Sequence, residues 1–226
     1  MKKLYSFFIL VLLVFGSSFK TKTKPFEGTI KYAIDYHAEY GVIKYPQDLS
    51  VSIKGDIVRV DMSLPFAEMS HIIDCKKKTS IQLCTIDGSK YCVKSAFKKP
   101  GSVEKASLAK DSTKIIKDLV CYFGRITTKE SQYIIYATQK YALSKNITSS
   151  ASEIPYHLFF PQKEFEGKLI VQHDLFDSDG QTTYQIESIT ESLLKESDIS
   201  PSISEYSEVT EVALGKIISD YFKSSH

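Results

Sequence analysis

A strict alternation of side chains over residues 26–37 is the feature that most constrains the fold of this 226-residue chain. Phe26, Gly28, Ile30, Tyr32, Ile34 and Tyr36 alternate with Glu27, Thr29, Lys31, Ala33, Asp35 and His37. Successive side chains of a strand point to opposite faces of a sheet, so a period of two over this length predicts a long, half-buried strand. The fold is therefore expected to be built around a β-sheet.

Further alternation continues this pattern along the chain. Residues 49–53 and 58–62 flank a break at Gly55 and Asp56, which predicts a strand and its bent or hairpin-linked successor. We predict further strands at residues 70–74, 80–86, 90–96, 120–127, 132–138, 158–160, 169–176 and 182–189, the last two joined by a turn at 177–180. Nine to eleven strands are expected in all, as one curved antiparallel sheet.

Helices are expected in two places. Pro100 and Gly101 close the first series of strands, and Ser102 or Asp111 can cap one or two short helices within residues 98–118. After Pro201, Ser204 is positioned to cap a C-terminal helix. Its apolar residues recur at helical spacing and are expected to face the core, namely Tyr206, Val209, Ala213, Ile217 and Tyr221. The predicted class is mainly β, with a few short helices covering the concave face.

The N-terminus has the pattern of an export signal. Lys2 and Lys3 precede a nine-residue apolar run at residues 7–15, and Gly16, Ser17 and Ser18 provide small residues for cleavage. The run is shorter than the roughly 20 residues that span a bilayer. We therefore expect a signal peptide at 1–18, a flexible leader at 19–25 and a single β domain at 26–226. The product is expected to be secreted, with no transmembrane span after cleavage.

The charge balance disfavours nucleic acid as a partner. The chain has 29 basic and 27 acidic residues, and removal of Lys2 and Lys3 leaves 27 of each. Affinity for nucleic acid depends on basic side chains that neutralise phosphates, and the predicted product has no basic excess. No nucleic-acid partner is expected.

The four cysteines are compatible with an oxidising compartment and fit no zinc-ribbon spacing. Cys84 and Cys92 flank a turn at Asp87-Gly88-Ser89, and a three-residue loop would place them directly opposite each other. A disulfide between Cys84 and Cys92 is one reading, and two buried free thiols are the other. The spacing alone does not decide between them.

Searches for catalytic, metal and cofactor motifs are negative. No two of the histidines, His37, His71, His157, His173 and His226, have metal-ligand spacing. No serine has the Gly-x-Ser-x-Gly motif, and the chain has no nucleotide-binding glycine loop. Asp177-Ser-Asp179-Gly180 starts like a calcium loop but lacks the later oxygen ligands. We therefore predict a non-enzymatic protein without a cofactor.

Aromatic and apolar residues remain as candidates for a binding site. Several occur where a sheet or its cover can line a cavity, namely Phe66, Met69, Tyr91, Phe97, Phe159 and Phe160. Such residues form either ordinary core or an apolar pocket between a curved sheet and the helices that close it.

Four segments carry a resemblance to a known family. They are Phe-Glu-Gly-Thr-Ile-Lys-Tyr at 26–32, Val-Arg-Val-Asp-Met at 58–62, the strand Met69–Asp74 and the segment Ile116–Cys121. This order resembles the secreted families of Gram-negative envelopes that are related to the periplasmic lipoprotein carrier LolA. Cys121 and Tyr136 match a cysteine and a tyrosine of those families, whereas Asp118 and Ile135 stand at their glycine and tryptophan positions.

The resemblance implies a half-open barrel with helices on its concave side and an apolar cavity between them. It implies an envelope carrier or binding protein for a hydrophobic ligand, such as a lipid or the acyl chains of a lipoprotein. The alternative is a structural or interaction module that presents a sheet face or edge to an envelope protein partner.

Overall fold

The computed structural model describes residues 24–37, 46, 48–97, 105–178 and 180–224. The predicted signal peptide lies outside these residues, as does the predicted leader except for Lys24 and Pro25, which are exposed. The strands are β1 Gly28–His37, β2 Asp48–Lys54, β3 Ile57–Leu64, β4 Ala67–Asp74, β5 Thr79–Ile86, β6 Ser89–Ala96, β7 Lys105–Ile116, β8 Leu119–Thr127, β9 Gln132–Thr138, β10 Leu169–Asp177, β11 Gly180–Glu191 and β12 Ser207–Glu208. The helices are α1 Lys145–Ser149, α2 Glu196–Ile199 and α3 Glu211–Ser224.

All twelve strands belong to one open, curved sheet, in the order β12-β6-β5-β4-β3-β2-β1-β11-β10-β9-β8-β7. Two antiparallel meanders, β1 to β6 and β7 to β11, meet where β1 pairs with β11. The mainly β prediction is confirmed. The prediction of a wholly antiparallel sheet is wrong, because β12 runs parallel to β6.

The predicted strands are present with one exception, and the hairpin at Gly55 and Asp56 joins β2 to β3. The predicted turn at 177–180 joins β10 to β11, although Asp179 lies outside the described residues. Residues 158–160 form no strand. Pro155 and Pro161 flank them, and a proline cannot donate a hydrogen bond to a sheet ladder.

The helices predicted within residues 98–118 are wrong for the described residues 105–118, which include β7. β7 pairs with β8 over most of its length, with a register shift between Ala109 and Thr113. Thr113, Ile115 and Ile116 are β-branched residues that favour strands. Pairing with β8 therefore outweighs the capping potential of Asp111.

The predicted C-terminal helix is confirmed as α3, but it begins later than expected. Thr210 caps it, since the Thr210 hydroxyl accepts a hydrogen bond of 3.1 Å from the Ala213 backbone N–H. Ser204 lies in a turn before β12, and Tyr206 packs on the sheet. No helix within the described residues is long and apolar enough to cross a membrane.

Residues 141–168 cover part of one sheet face, which we call the inner face because Ile30, Val51 and Val60 lie on it. These three residues pair directly across β1, β2 and β3 and are fully buried. They belong to the largest apolar cluster, together with residues of the covering segment such as Leu143, Ile147, Ile154, Leu158 and Phe159. This half of the inner face is therefore closed by the chain's own side chains.

The chain between β11 and α3 runs along the opposite face, here called the outer face. Arg59 donates a hydrogen bond of 2.9 Å to the carbonyl of Asp198, and Ile203 and Tyr206 pack on Ile72 and Leu83. The chain then pairs with β6 through β12 and turns onto the inner face as α3. The last described residues therefore wrap around one edge of the sheet.

Candidate functional site

The inner face of β4, β5 and β6, where it lies beside α3, is the candidate site, and we call it the inner-face groove. Direct pairing across the strands fixes the residues that share this face. One row continues from Val60 through His71 and Gln82 to Val93. The rows on either side supply the remaining members of the groove, which are Met69, Cys84, Tyr91, Ile73, Ser80 and Ser95.

The two walls of the groove are different in kind. On one side, the tightly packed cluster around Val60 and Leu158 closes the sheet. On the other side, Leu214 of α3 packs against Cys84 and Val93. Leu214 is 4% exposed, whereas the neighbouring apolar side chains of α3 are only half-buried, namely Ile217, Ile218, Tyr221 and Phe222. Apolar surface therefore remains accessible on the α3 side of the groove.

His71 and Gln82 lie side by side between these walls and are half-buried. Neither side chain has a hydrogen-bond partner among the described residues. Burial lowers the pKa of His71 from 6.5 to about 4, because the protonated imidazole would lose its hydration. His71 is therefore neutral at pH 7, and it offers one nitrogen as a donor and the other as an acceptor.

Three of the six predicted lining residues meet at the α3 end of the groove. Met69 and Tyr91 contribute to its inner face, and Phe66 packs on Phe222 of α3 with ring centroids 4.6 Å apart. Met69 also touches the main core. The structure thus brings these three predicted residues to one place.

The other three predicted residues do not line this groove. Phe97 and Phe159 pack in the main core, and Phe160 packs in a separate cluster with Phe165 on the far half of the sheet. Phe159 and Phe160 lie in the covering segment and are buried. The six predicted residues therefore do not surround one common cavity.

Sequence reasoning missed His71 and Gln82 as members of the groove. The search tested histidines only for metal-ligand spacing, which His71 lacks. A usable signal was the alternation of β4 and β5, which puts His71 on the same face as Met69 and Ile73. Two polar residues on an otherwise apolar strand face mark a place where polar groups converge in an apolar site.

The structure contradicts a Cys84–Cys92 disulfide, since all four cysteines are free and buried. Only Asp87 and Gly88 form the β5–β6 turn, so Cys84 pairs with Tyr91 and Cys92 pairs with Leu83. The shorter loop shifts the register by one residue, which places the two thiols on opposite faces of the sheet. Cys84 packs against α3, and Cys92 packs near Tyr206 on the outer face.

We expect the folded protein to react slowly with a thiol reagent and the unreduced, denatured protein to expose four thiols. Burial raises the pKa of Cys75 to about 12 and the pKa values of Cys84 and Cys121 to about 11, so the reactive thiolate is scarce at pH 8. Titration with a chromogenic disulfide reagent measures the reaction rate of the folded protein without guanidinium and the number of thiols with guanidinium. Two thiols after denaturation would contradict this expectation.

A second group of aromatic residues surrounds His173 on β10. Its ring stacks on Tyr184 with centroids 4.6 Å apart and meets the edge of Phe160 at 6.0 Å. The side chain is fully buried, and neither ring nitrogen has a hydrogen-bond partner among the described residues. Beside it, Tyr156 and His157 have positive φ angles of 60° and 50°. This group is closed to solvent at His173 and offers no open site.

A polar cleft of about 290 Å³ lies beside β1 to β4. Its charged members include Lys31, Asp61 and Glu187. Asp61 already accepts hydrogen bonds from Arg59 and Ser70. No group of three or more His, Cys, Asp or Glu side chains in the described part of the chain is arranged to hold a metal ion.

Comparison with known proteins gives structural neighbours only. No family model matches the chain, and no curated protein matches it. Two solved structures of PNGF-II, in the P21 and C2 space groups, each superpose with a TM-score of 0.52 at 9% and 11% identity. They cover 85% and 84% of this chain, which spans 33% and 32% of the PNGF-II chains. At this identity the likeness is one of fold, and it extends over about a third of PNGF-II.

Proposed function

We propose that the protein is a non-enzymatic, periplasmic binding protein or carrier for a hydrophobic ligand, such as a lipid or an acyl chain of a lipoprotein. The ligand lies in the inner-face groove against α3. The supporting observation is the half-buried apolar face of α3, which packs opposite Phe66, Met69 and Tyr91. An accessible apolar surface beside a few polar groups is typical of ligand sites.

The energetics of such a site require no charged anchor. Burial of an acyl chain contributes about 0.8 kcal/mol for each CH₂ group removed from water. Among the described side chains of α3 only Leu214 is nearly fully buried, and the apolar side chains after it keep accessible surface. An acyl chain that enters beside Met69 covers apolar surface that α3 leaves partly exposed.

The remaining inner face is unsuited to this role. Ile147 and Leu158 in the covering segment are fully buried in the main core, and Phe159 is 2% exposed. Displacement of these residues would expose the largest apolar cluster of the fold. The groove beside α3 is therefore the better place for a ligand.

An interaction module remains the second candidate. Ile115 and Val120 pair across the β7–β8 hairpin and are 72% and 53% exposed. Such an exposed apolar pair at the end of a sheet is suited to contact with an envelope protein. A pull-down under native conditions compares the parent with Ile115→Asp. Loss of a partner in the variant supports the interaction module over the carrier, because this change leaves the groove intact.

We expect Met69→Trp to weaken binding of N-phenyl-1-naphthylamine, an uncharged apolar dye, by at least tenfold. The larger side chain fills the groove between the main core and α3. Fluorescence titration measures the dissociation constant. The control is Glu68→Trp, since Glu68 neighbours Met69 on β4 but is exposed and faces outward.

Circular dichroism and thermal melting establish that both variants are folded. A folded Met69→Trp protein that binds the dye as tightly as the parent would contradict the proposed site. Native mass spectrometry of the protein from its own host, followed by lipid extraction, tests the proposed ligand class directly.

A further inference from the structure

His71 and Gln82 are adjacent polar side chains on a mostly apolar floor. They pair across β4 and β5, with Val60 and Val93 at the two ends of their row. Ser80 and Ser95, in the next row, satisfy each other through a hydrogen bond of 2.8 Å. His71 and Gln82 have no such partner among the described residues. Both side chains are half-buried and still reach solvent, so a ligand that pairs with them would replace water on a mostly apolar floor.

The described inner-face residues around this pair carry no charge. Every inner-face residue of β4, β5 and β6 named above is uncharged at pH 7, including His71, whose burial favours the neutral imidazole. On α3 the charged residues Glu211, Lys216, Asp220 and Lys223 are all exposed. A carboxylate or phosphate placed against the pair would lose hydration without gaining a cation from the described inner-face residues. A hydroxyl or ester group can exchange hydrogen bonds with both side chains.

We infer that His71 and Gln82 hold the uncharged polar head of an amphiphile, a hydroxyl or ester group attached to an acyl chain, while the chain lies along the groove against α3. This inference rests on the proposed function and adds the class of ligand and the residues that select it. The imidazole and the amide each act as a donor and an acceptor, and the apolar floor around them excludes charged heads. The site thus prefers acylglycerols or fatty alcohols to fatty acids of equal chain length.

The test compares ligands that share a chain of twelve carbons. Displacement of N-phenyl-1-naphthylamine at pH 7.5 gives the affinities of 1-lauroylglycerol, laurate and dodecane for the full chain. We expect 1-lauroylglycerol to bind at least tenfold more tightly than laurate. His71→Leu and Gln82→Leu are each expected to weaken 1-lauroylglycerol about tenfold, which corresponds to the loss of one net hydrogen bond. Binding of the dye and of dodecane should not weaken, because leucine keeps the floor apolar, so a loss confined to 1-lauroylglycerol identifies its head group as the part that these side chains bind.

Two further variants separate hydrogen bonding from packing. His71→Gln keeps a donor and an acceptor at this position and should retain most of the affinity for 1-lauroylglycerol. Gln185→Leu removes a half-buried glutamine on β11, away from the groove, and should bind all three ligands like the parent.

The outcomes distinguish the selection of an uncharged head group from the proposed function itself. Binding of the dye and dodecane supports the proposed function. If laurate then binds as tightly as 1-lauroylglycerol, the selection of an uncharged head is overturned. The same holds if both leucine variants bind 1-lauroylglycerol as tightly as the parent. If neither the dye nor dodecane binds the parent protein, the proposed function fails and this inference fails with it.

Discussion

Replacement of Gly28 by alanine is expected to cost at least about 4 kcal/mol in the free energy of unfolding, or to prevent folding. Gly28 has a φ angle of 149°, and a Cβ atom there would lie 2.1 Å from the carbonyl oxygen of Thr190. That oxygen belongs to the backbone of β11, so the clash cannot be relieved by a change of rotamer. The affected pairing joins the two meanders. Urea denaturation and the yield of soluble protein measure the effect.

Gly215→Ala is the matched control, because it makes the same chemical change in α3. A Cβ atom at Gly215 meets nothing within 4 Å, and alanine is favoured over glycine in a helix by about 1 kcal/mol. We therefore expect this variant to be as stable as the parent or more stable. A Gly28→Ala protein whose urea midpoint equals that of Gly215→Ala would contradict the clash.

Acidification is expected to destabilise the protein through His173. Burial lowers the pKa of His173 from 6.5 to about 3, and the nearby His157 lowers it further. The backbone of Tyr156 acts in the opposite direction, although it forms no hydrogen bond with either ring nitrogen. The unfolded chain therefore binds a proton near pH 6.5, whereas the folded protein does not. The contribution of His173 to stability falls by about 1.4 kcal/mol for each pH unit below 6.5 until the pH approaches 3, and this contribution is constant above 6.5.

His173→Phe should remove this contribution, which amounts to about 3 kcal/mol at pH 4.5. Phenylalanine can keep the stacking on Tyr184 without a titrating group. Urea unfolding of the parent and the variant at pH 7.5 and 4.5 gives the difference. His71, whose pKa is also lowered, adds a slope of the same sign to both proteins. The control is His37→Gln, since His37 is exposed and pairs with Asp35. Equal acid sensitivity of parent and His173→Phe would refute the assignment.

The sequence was sufficient for most of the strands because these bury one face. β2 and β3 show the period of two so clearly that both strands follow from it, and the bend or hairpin predicted between them is a hairpin. The pattern failed for segments whose two faces are both buried or both exposed, because such segments show no alternation of apolar and polar residues. Leu158, Phe159 and Phe160 form an apolar run without a polar face, and periodicity alone cannot assign such a run to a strand, a helix or a cover.

The candidate site was predictable only in part, for a geometric reason. Phe66, Met69 and Tyr91 were expected to line a cavity, and they do meet at one end of the groove. His71 and Gln82 become neighbours through the register of β4 and β5, which depends on the turn that joins them. The failed Cys84–Cys92 pairing has the same origin, because a loop one residue shorter exchanges the two faces. Face assignments within one strand are safer than pairings between strands.

The junction of β1 with β11 also determines when the fold can be completed. Gly28 pairs with Glu191, so the ladder that unites the sheet joins residues separated by most of the described chain. Closure of so large a loop carries an entropic cost before its contacts form, and such topologies fold slowly. Until residue 191 is free to pair, one side of β1 stays an unpaired apolar edge that invites aggregation. If the chain is exported N-terminus first, this edge must be protected during translocation, and a holding chaperone would have its strongest effect on yield there.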